Sequence, residues 1–247
     1  MSVQPSLAAL DGSLPETTRT DSHRARRFYR VAALLALLAV LVGFAPSFYL
    51  KPLFHRPPPL TALLVVHGSV MTAWFVLFLV QAQLAASRNL RLHRRLGAGG
   101  VALAAAVLVL GTTVAITGAR LGHTPGPPPL RFLAIPLTDM AVFTIFAGGA
   151  LLLRRKTETH KRLMLLAFIG LLTAAVARMP GATTNIIVPF SATVLFAGMC
   201  VAWDTWRHRR LHPAFGWGFA LFALSWPFRL WLSGTDAWLA FARWLTG

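Results

Sequence analysis

Apolar and polar positions alternate along this chain on a coarse scale. Stretches of roughly 20 apolar residues, the length a helix needs to cross about 30 Å of hydrocarbon at 1.5 Å per residue, are separated by short runs rich in arginine, proline or both. The pattern predicts seven transmembrane helices, over residues 30–50, 60–86, 96–119, 130–153, 163–179, 185–206 and 214–232. A last segment carries Trp238, Phe241 and Trp244 at helical spacing and is expected to lie along the interface. The fold class is all-α, a polytopic membrane bundle in which spans two to seven form three helical hairpins. Residues 1–27 are expected as a disordered basic tail, 28–234 as the transmembrane domain, and 235–247 as the interfacial segment.

Composition agrees with that division. Of 247 residues 56% are hydrophobic and only 13% charged, against about 25% charged in a soluble domain. A net charge of +17 invites a nucleic-acid reading, but the charges sit in the short loops between spans, where they supply an orientation signal instead. The lone cysteine, Cys200, rules out a disulfide or a cysteine-based zinc site within one chain. Basic residues before the first span also describe a signal peptide. The leader would be long and has no small-x-small cleavage site after Val42, so a retained anchor is expected.

Seventeen of the 24 Lys and Arg residues fall on one side: the N-terminal tail and the loops after spans two, four and six. The N-terminus is therefore expected inside and the C-terminus outside a bacterial cytoplasmic membrane. Lipid is the first expected partner.

One motif returns in the inner turns. His93-Arg94-Arg95-Leu96 reappears as His160-Lys161-Arg162-Leu163 and as His208-Arg209-Arg210-Leu211. Triple prolines at 57–59 and 127–129 precede spans two and four in the same register, so the chain reads as tandem hairpins. Each motif is expected where an outward-going helix begins. There the unpaired N–H groups and the positive dipole end add to the basic side chains to make an anion site. Anionic phospholipid headgroups are one occupant of such a site, and the carboxylates of a cofactor are the other.

Ionisable residues inside spans are costly and ask for partners. His67, Asp139, Arg178, Asn185 and Arg229 all fall in the outer half of five different spans and are expected to converge. They make either an ion pair that locks the bundle, Asp139 with Arg178 or Arg229, or a path for a small solute or proton. His67 and Met71 share a helical face and offer imidazole and thioether to a metal, although packing explains the same spacing. His93 and His160 occupy repeat-equivalent positions, where a b-type haem between two helices could set its propionates on Arg94, Arg95, Lys161 or Arg162. Capping of the basic turns is the alternative role for both histidines. His55 and His123 flank the outer proline loops, a weak signal. No Walker loop, zinc-protease helix, nucleophile elbow or dinucleotide fingerprint is present, which disfavours hydrolytic and nucleotide-driven chemistry.

The stretches Leu92-His93-Arg94-Arg95-Leu96-Gly97 and Thr159-His160-Lys161-Arg162-Leu163-Met164-Leu165-Leu166 resemble turns shared by a group of uncharacterised bacterial multi-pass membrane proteins. More distantly they resemble small polytopic families linked to cytochrome oxidase assembly or compared with cytochrome b-like bundles. That resemblance implies a haem- or redox-associated role, with His93 and His160 as the positions carried over and a membrane redox complex as partner. It brings no catalytic residue. The residues themselves leave a carrier built on the His67 and Asp139 group, and a non-catalytic scaffold, equally open.

Overall fold

The computed structural model describes residues 16–54, 59–125, 128–179, 182 and 185–247, with the side chains of 16–26 excepted. Every regular element among them is helical. In chain order these are α1 (Glu16–Phe44), a π-helical turn (Ala45–Tyr49), α2 (Lys51–Phe54), α3 (Ala62–Ala86), α4 (Leu90–Arg120), α5 (Pro129–Phe132), α6 (Ala134–Leu152), α7 (Thr157–Gly170), α8 (Thr173–Val176), α9 (Ile187–His208), α10 (Pro213–Ser233) and α11 (Asp236–Thr246). Six stretches are long and apolar enough to cross a membrane: Arg27–Tyr49, Ala62–Ala86, Leu90–Arg120, Pro129–Leu152, Thr157–Val176 and Ile187–His208. Helix α10 has the length but not the apolarity. It carries Arg229 and the helix-interior Pro227.

Two boundaries differ from the sequence expectation. Helix α1 begins at Glu16, so the second half of the expected tail is already helical. Once the apolar span has formed its turns, each residue added at the end costs little, because nucleation is already done. The fifth span is interrupted after Gly170 and resumes as α8. The break is tightened by Leu172 N–H donating to the Ile169 carbonyl at 2.9 Å; Leu172 and Thr173 are buried there, and Gly170 and Leu171 half-buried.

Helix α7 is the centre of the bundle. Leu165, Leu166, Ala167, Phe168 and Ile169 are all buried, so this helix is covered on every side rather than along one stripe. Phe168 stacks on Phe78 of α3 at 4.0 Å between centroids and tilts against Phe75. Helix α3 packs on α4 and on α1, and α6 on α7, while α10 lies against both α6 and α7 as well as α9. The first helix seats itself through small residues, Ala32, Ala33 and Ala36, and turns Leu34, Leu35 and Leu38 outward. Close backbone approach of this kind replaces the hydrophobic effect where lipid is the solvent. Gly43 marks its tightest point, since a Cβ there would lie 2.2 Å from the Ala175 carbonyl oxygen.

Candidate functional site

Because α7 is surrounded, any charged residue in its first two turns that faces the bundle must be buried with a partner. Arg162 is that residue, at 1% exposure. Its Nε and Nη2 donate to Asp204 Oδ2 and Oδ1, both at 2.9 Å, a two-pronged contact that joins α7 to α9. Its Nη1 donates to Glu158 Oε2 at 2.6 Å and to the Glu158 carbonyl at 2.8 Å. Lys161 holds the other Glu158 oxygen at 2.7 Å. Asp204, also 1% exposed, has the His208 ring on its own helix, with Nδ1 3.4 Å from Oδ1. The Tyr29 ring lies under Lys161, and its buried hydroxyl has no hydrogen-bond partner.

This cluster changes the reading of the inner turn. Arg162 directs all three of its nitrogens to Glu158 and Asp204, while Lys161 bonds one Glu158 oxygen and stays half-buried. Arg94 and Arg95 remain exposed at the start of α4. Asp204 escaped the sequence reading, although the signal was there. It is one of only seven acidic residues, and it sits four residues before His208 in an apolar stretch.

The three His-Arg motifs are not three copies of one device. His93 and His160 are each the fourth residue of an outward helix, α4 and α7. Each ring is tied to the preceding helix: His93 Nδ1 to the Gln81 carbonyl at 3.3 Å, His160 Nδ1 to the Ala150 carbonyl at 2.8 Å. Gln81 returns the contact by donating from Nε2 to the His93 carbonyl at 3.1 Å. His208 instead closes α9, its ring bonded to the carbonyl of Asp204 one turn back. The helix stops there because Arg209 adopts a left-handed conformation, φ 54°. The next helix opens five residues after His208, with His212 as its cap, accepting from Ala214 N–H at 3.1 Å. Burial holds the His212 imidazole below its ordinary pKa, and Arg162 and Arg210 push the same way.

At the outer end the expected convergence splits into two groups and a cap. Arg229, 1% exposed, donates from Nη1 to Asp139 Oδ1 and from Nη2 to Ser225 Oγ at 2.9 Å, and its guanidinium lies 4.9 Å from the Phe190 ring centroid. This joins α10 to α6. Asn185 accepts from Ile187 N–H at 2.9 Å and stays exposed, so it serves the start of α9 rather than a shared site. Arg178 bonds the Ala174 carbonyl at 2.6 Å and lies 4.6 Å from the Phe44 ring centroid, which the Gly43 contact holds in place. It has no carboxylate partner among the described residues. Arg178 is close enough to His67 to act on it electrostatically, and the buried His67 Nδ1 has no hydrogen-bond partner. Gly68 lets the Phe48 ring close over the same helix turn.

No group of three or more histidine, cysteine or carboxylate side chains able to hold a metal occurs among the described residues. His55 lies outside the described residues, so its meeting with His123 is not addressed. No family model, curated protein or solved structure matches the chain.

Proposed function

We propose that this chain is a seven-span protein of a bacterial cytoplasmic membrane, N-terminus inside and C-terminus outside, that takes a small anion at its outer end and carries it across. Three features support α10 as the seventh span. At 21 residues it is about 31 Å long. It packs beside three of the apolar helices, α6, α7 and α9. Its exposed Trp217 and Trp231 stand near opposite ends, as interfacial tryptophans do.

The observation that carries the anion reading is Arg178, a guanidinium at the outer end of the bundle without a carboxylate among the described residues, within electrostatic range of a histidine with an unpartnered buried nitrogen. Asp139 is already committed to Arg229, so it does not neutralise Arg178. A carboxylate or phosphate between Arg178 and His67 would supply the missing negative charge and accept from both side chains. The test is thermal unfolding of the detergent-purified protein with acetate, lactate, succinate and phosphate at matched ionic strength, followed by uptake of the responding anion into proteoliposomes. One anion is expected to raise the midpoint of the wild type and to lose that effect in Arg178→Gln. An unresponsive wild type, or a response that Arg178→Gln preserves, removes the reading.

A second reading rests on the inner histidines. His93 and His160 interact electrostatically, and each ring has Nδ1 fixed by a backbone carbonyl, which selects the tautomer that leaves Nε2 free as a ligand. Together with the resemblance of their turns to those of haem-linked families, this supports a b-type haem and a membrane redox complex as partner. A reducible Soret band lost in both His93→Ala and His160→Ala would move the assignment there.

A further inference from the structure

Helices α1 and α9 meet at their inner ends through one ring pair, Phe28 stacked on Trp203 with centroids 3.9 Å apart and planes 8° from parallel. Beside that pair lies an open groove of about 380 Å³. Three arginines from the two helices surround it, Arg27, Arg207 and Arg209, while Val31 and Trp206 continue the lining on the apolar side. We infer that this groove is a binding site for one anionic phospholipid of the inner leaflet, with the phosphate among the arginines and an acyl chain running down past Val31.

Charge complementarity favours that occupant. The three cations come from two separate helices and stand at one end of a groove whose remaining lining is aromatic or aliphatic. That is the chemistry of a phosphate joined to hydrocarbon rather than of a phosphate alone. Arginine suits the phosphate end because its fork donates two parallel bonds to phosphate oxygens.

The backbone fixes the position of Arg209 at the rim. Arg209 holds φ 54° at the end of α9, a left-handed conformation that helix ends usually give to glycine. Glycine would relieve the steric cost, but it would remove the guanidinium from the groove rim. Arg88, which follows α3, holds φ 59° in the same way, so the turn fixes where Arg209 sits while the lining of the groove names its occupant. The groove also opens sideways: Val31 and Trp206 are both exposed, at 45% and 67%, on surfaces that hydrocarbon and headgroups cover in a bilayer.

The experiment is native mass spectrometry of the full chain released from detergent, with phosphatidylglycerol, cardiolipin or phosphatidylcholine added at equal concentration. Inorganic phosphate is included as a separate arm. The wild type is expected to retain the two anionic lipids over phosphatidylcholine. Arg209→Gly keeps the left-handed turn, so it is expected to fold at least as stably while losing roughly fivefold in anionic-lipid affinity, the effect of about one interfacial basic residue. Arg27→Gln, on the other helix, is expected to lose a similar factor and covers the case in which Arg209→Gly fails to fold. Equal retention of phosphatidylcholine overturns the inference. So does undiminished anionic-lipid binding in both variants, or competition by inorganic phosphate as strong as that by the lipids.

Discussion

The two ends of this bundle, which the charge pattern assigns to the inside and the outside, each bury a guanidinium at 1% exposure, yet they surround it differently. Arg162 has two carboxylates, and all three of its nitrogens are hydrogen-bonded. Among the described residues Arg229 has one carboxylate and shares it with no other cation, while a second arginine, Arg178, stands at the same end of the bundle with no acid partner. The inner end is closed on itself. The other end keeps a second guanidinium, the exposed Arg178, and, among the described residues, a buried His67 nitrogen without a hydrogen-bond partner.

The largest effect is expected from opening the inner cluster. Asp204→Ala strips Arg162 of its two-pronged partner in the most enclosed helix and leaves it only the exposed Glu158 carboxylate, at a cost of about 5 kcal/mol, the upper part of the range for breaking a buried ion pair. Asp139→Ala should cost less, about 3 kcal/mol, because the Asp139 side chain keeps 16% exposure and Arg229 retains Ser225 and the face of Phe190. Tryptophan-detected unfolding of both variants in one detergent ranks them. An Asp139 variant less stable than the Asp204 variant would reverse the division of labour between the two ends. Replacing the whole inner pair, with Arg162→Met and Asp204→Leu together, should restore most of the loss, since buried ion pairs give little net stability over well-packed apolar residues.

Much of this arrangement was legible along the chain, and the part that was not has a physical cause. Span positions follow from hydropathy, because a bilayer admits few alternatives to a long apolar helix. The Asp139–Arg229 pair was one of two pairings the sequence left open, and a buried acid in a chain with so few acids had to find a base. Asp204 was overlooked because it lies among interfacial tryptophans, where a charge near a helix end is ordinary. Only the position of α7, enclosed on every side, turns it into a buried partner. The third motif was misplaced for a related reason: the spacing of His208-Arg209-Arg210-Leu211 matches the other two, while the left-handed turn at Arg209 moves it from the start of one helix to the end of another. Four residues of sequence do not encode which helix owns them.

The smallest effect separates the ends by pH. His212 caps α10 with a neutral ring nitrogen, accepting from Ala214 N–H, and burial together with Arg162 and Arg210 keeps the folded ring below its ordinary value of 6.5. Folding therefore favours the neutral form. The stability this residue contributes is complete above pH 6.5 and is lost progressively as the pH falls from there toward the lower folded value, because the unfolded chain binds the proton first. Glu158 and Asp204 oppose the shift, so the slope should be shallow. His212→Asn retains an oxygen that can cap the helix and removes the titration. Unfolding midpoints of wild type and variant, compared from pH 7.5 down to about pH 5, should converge at the alkaline end and separate toward acid, with the wild type the more sensitive. Parallel curves would mean that the cap does not depend on the protonation of this ring.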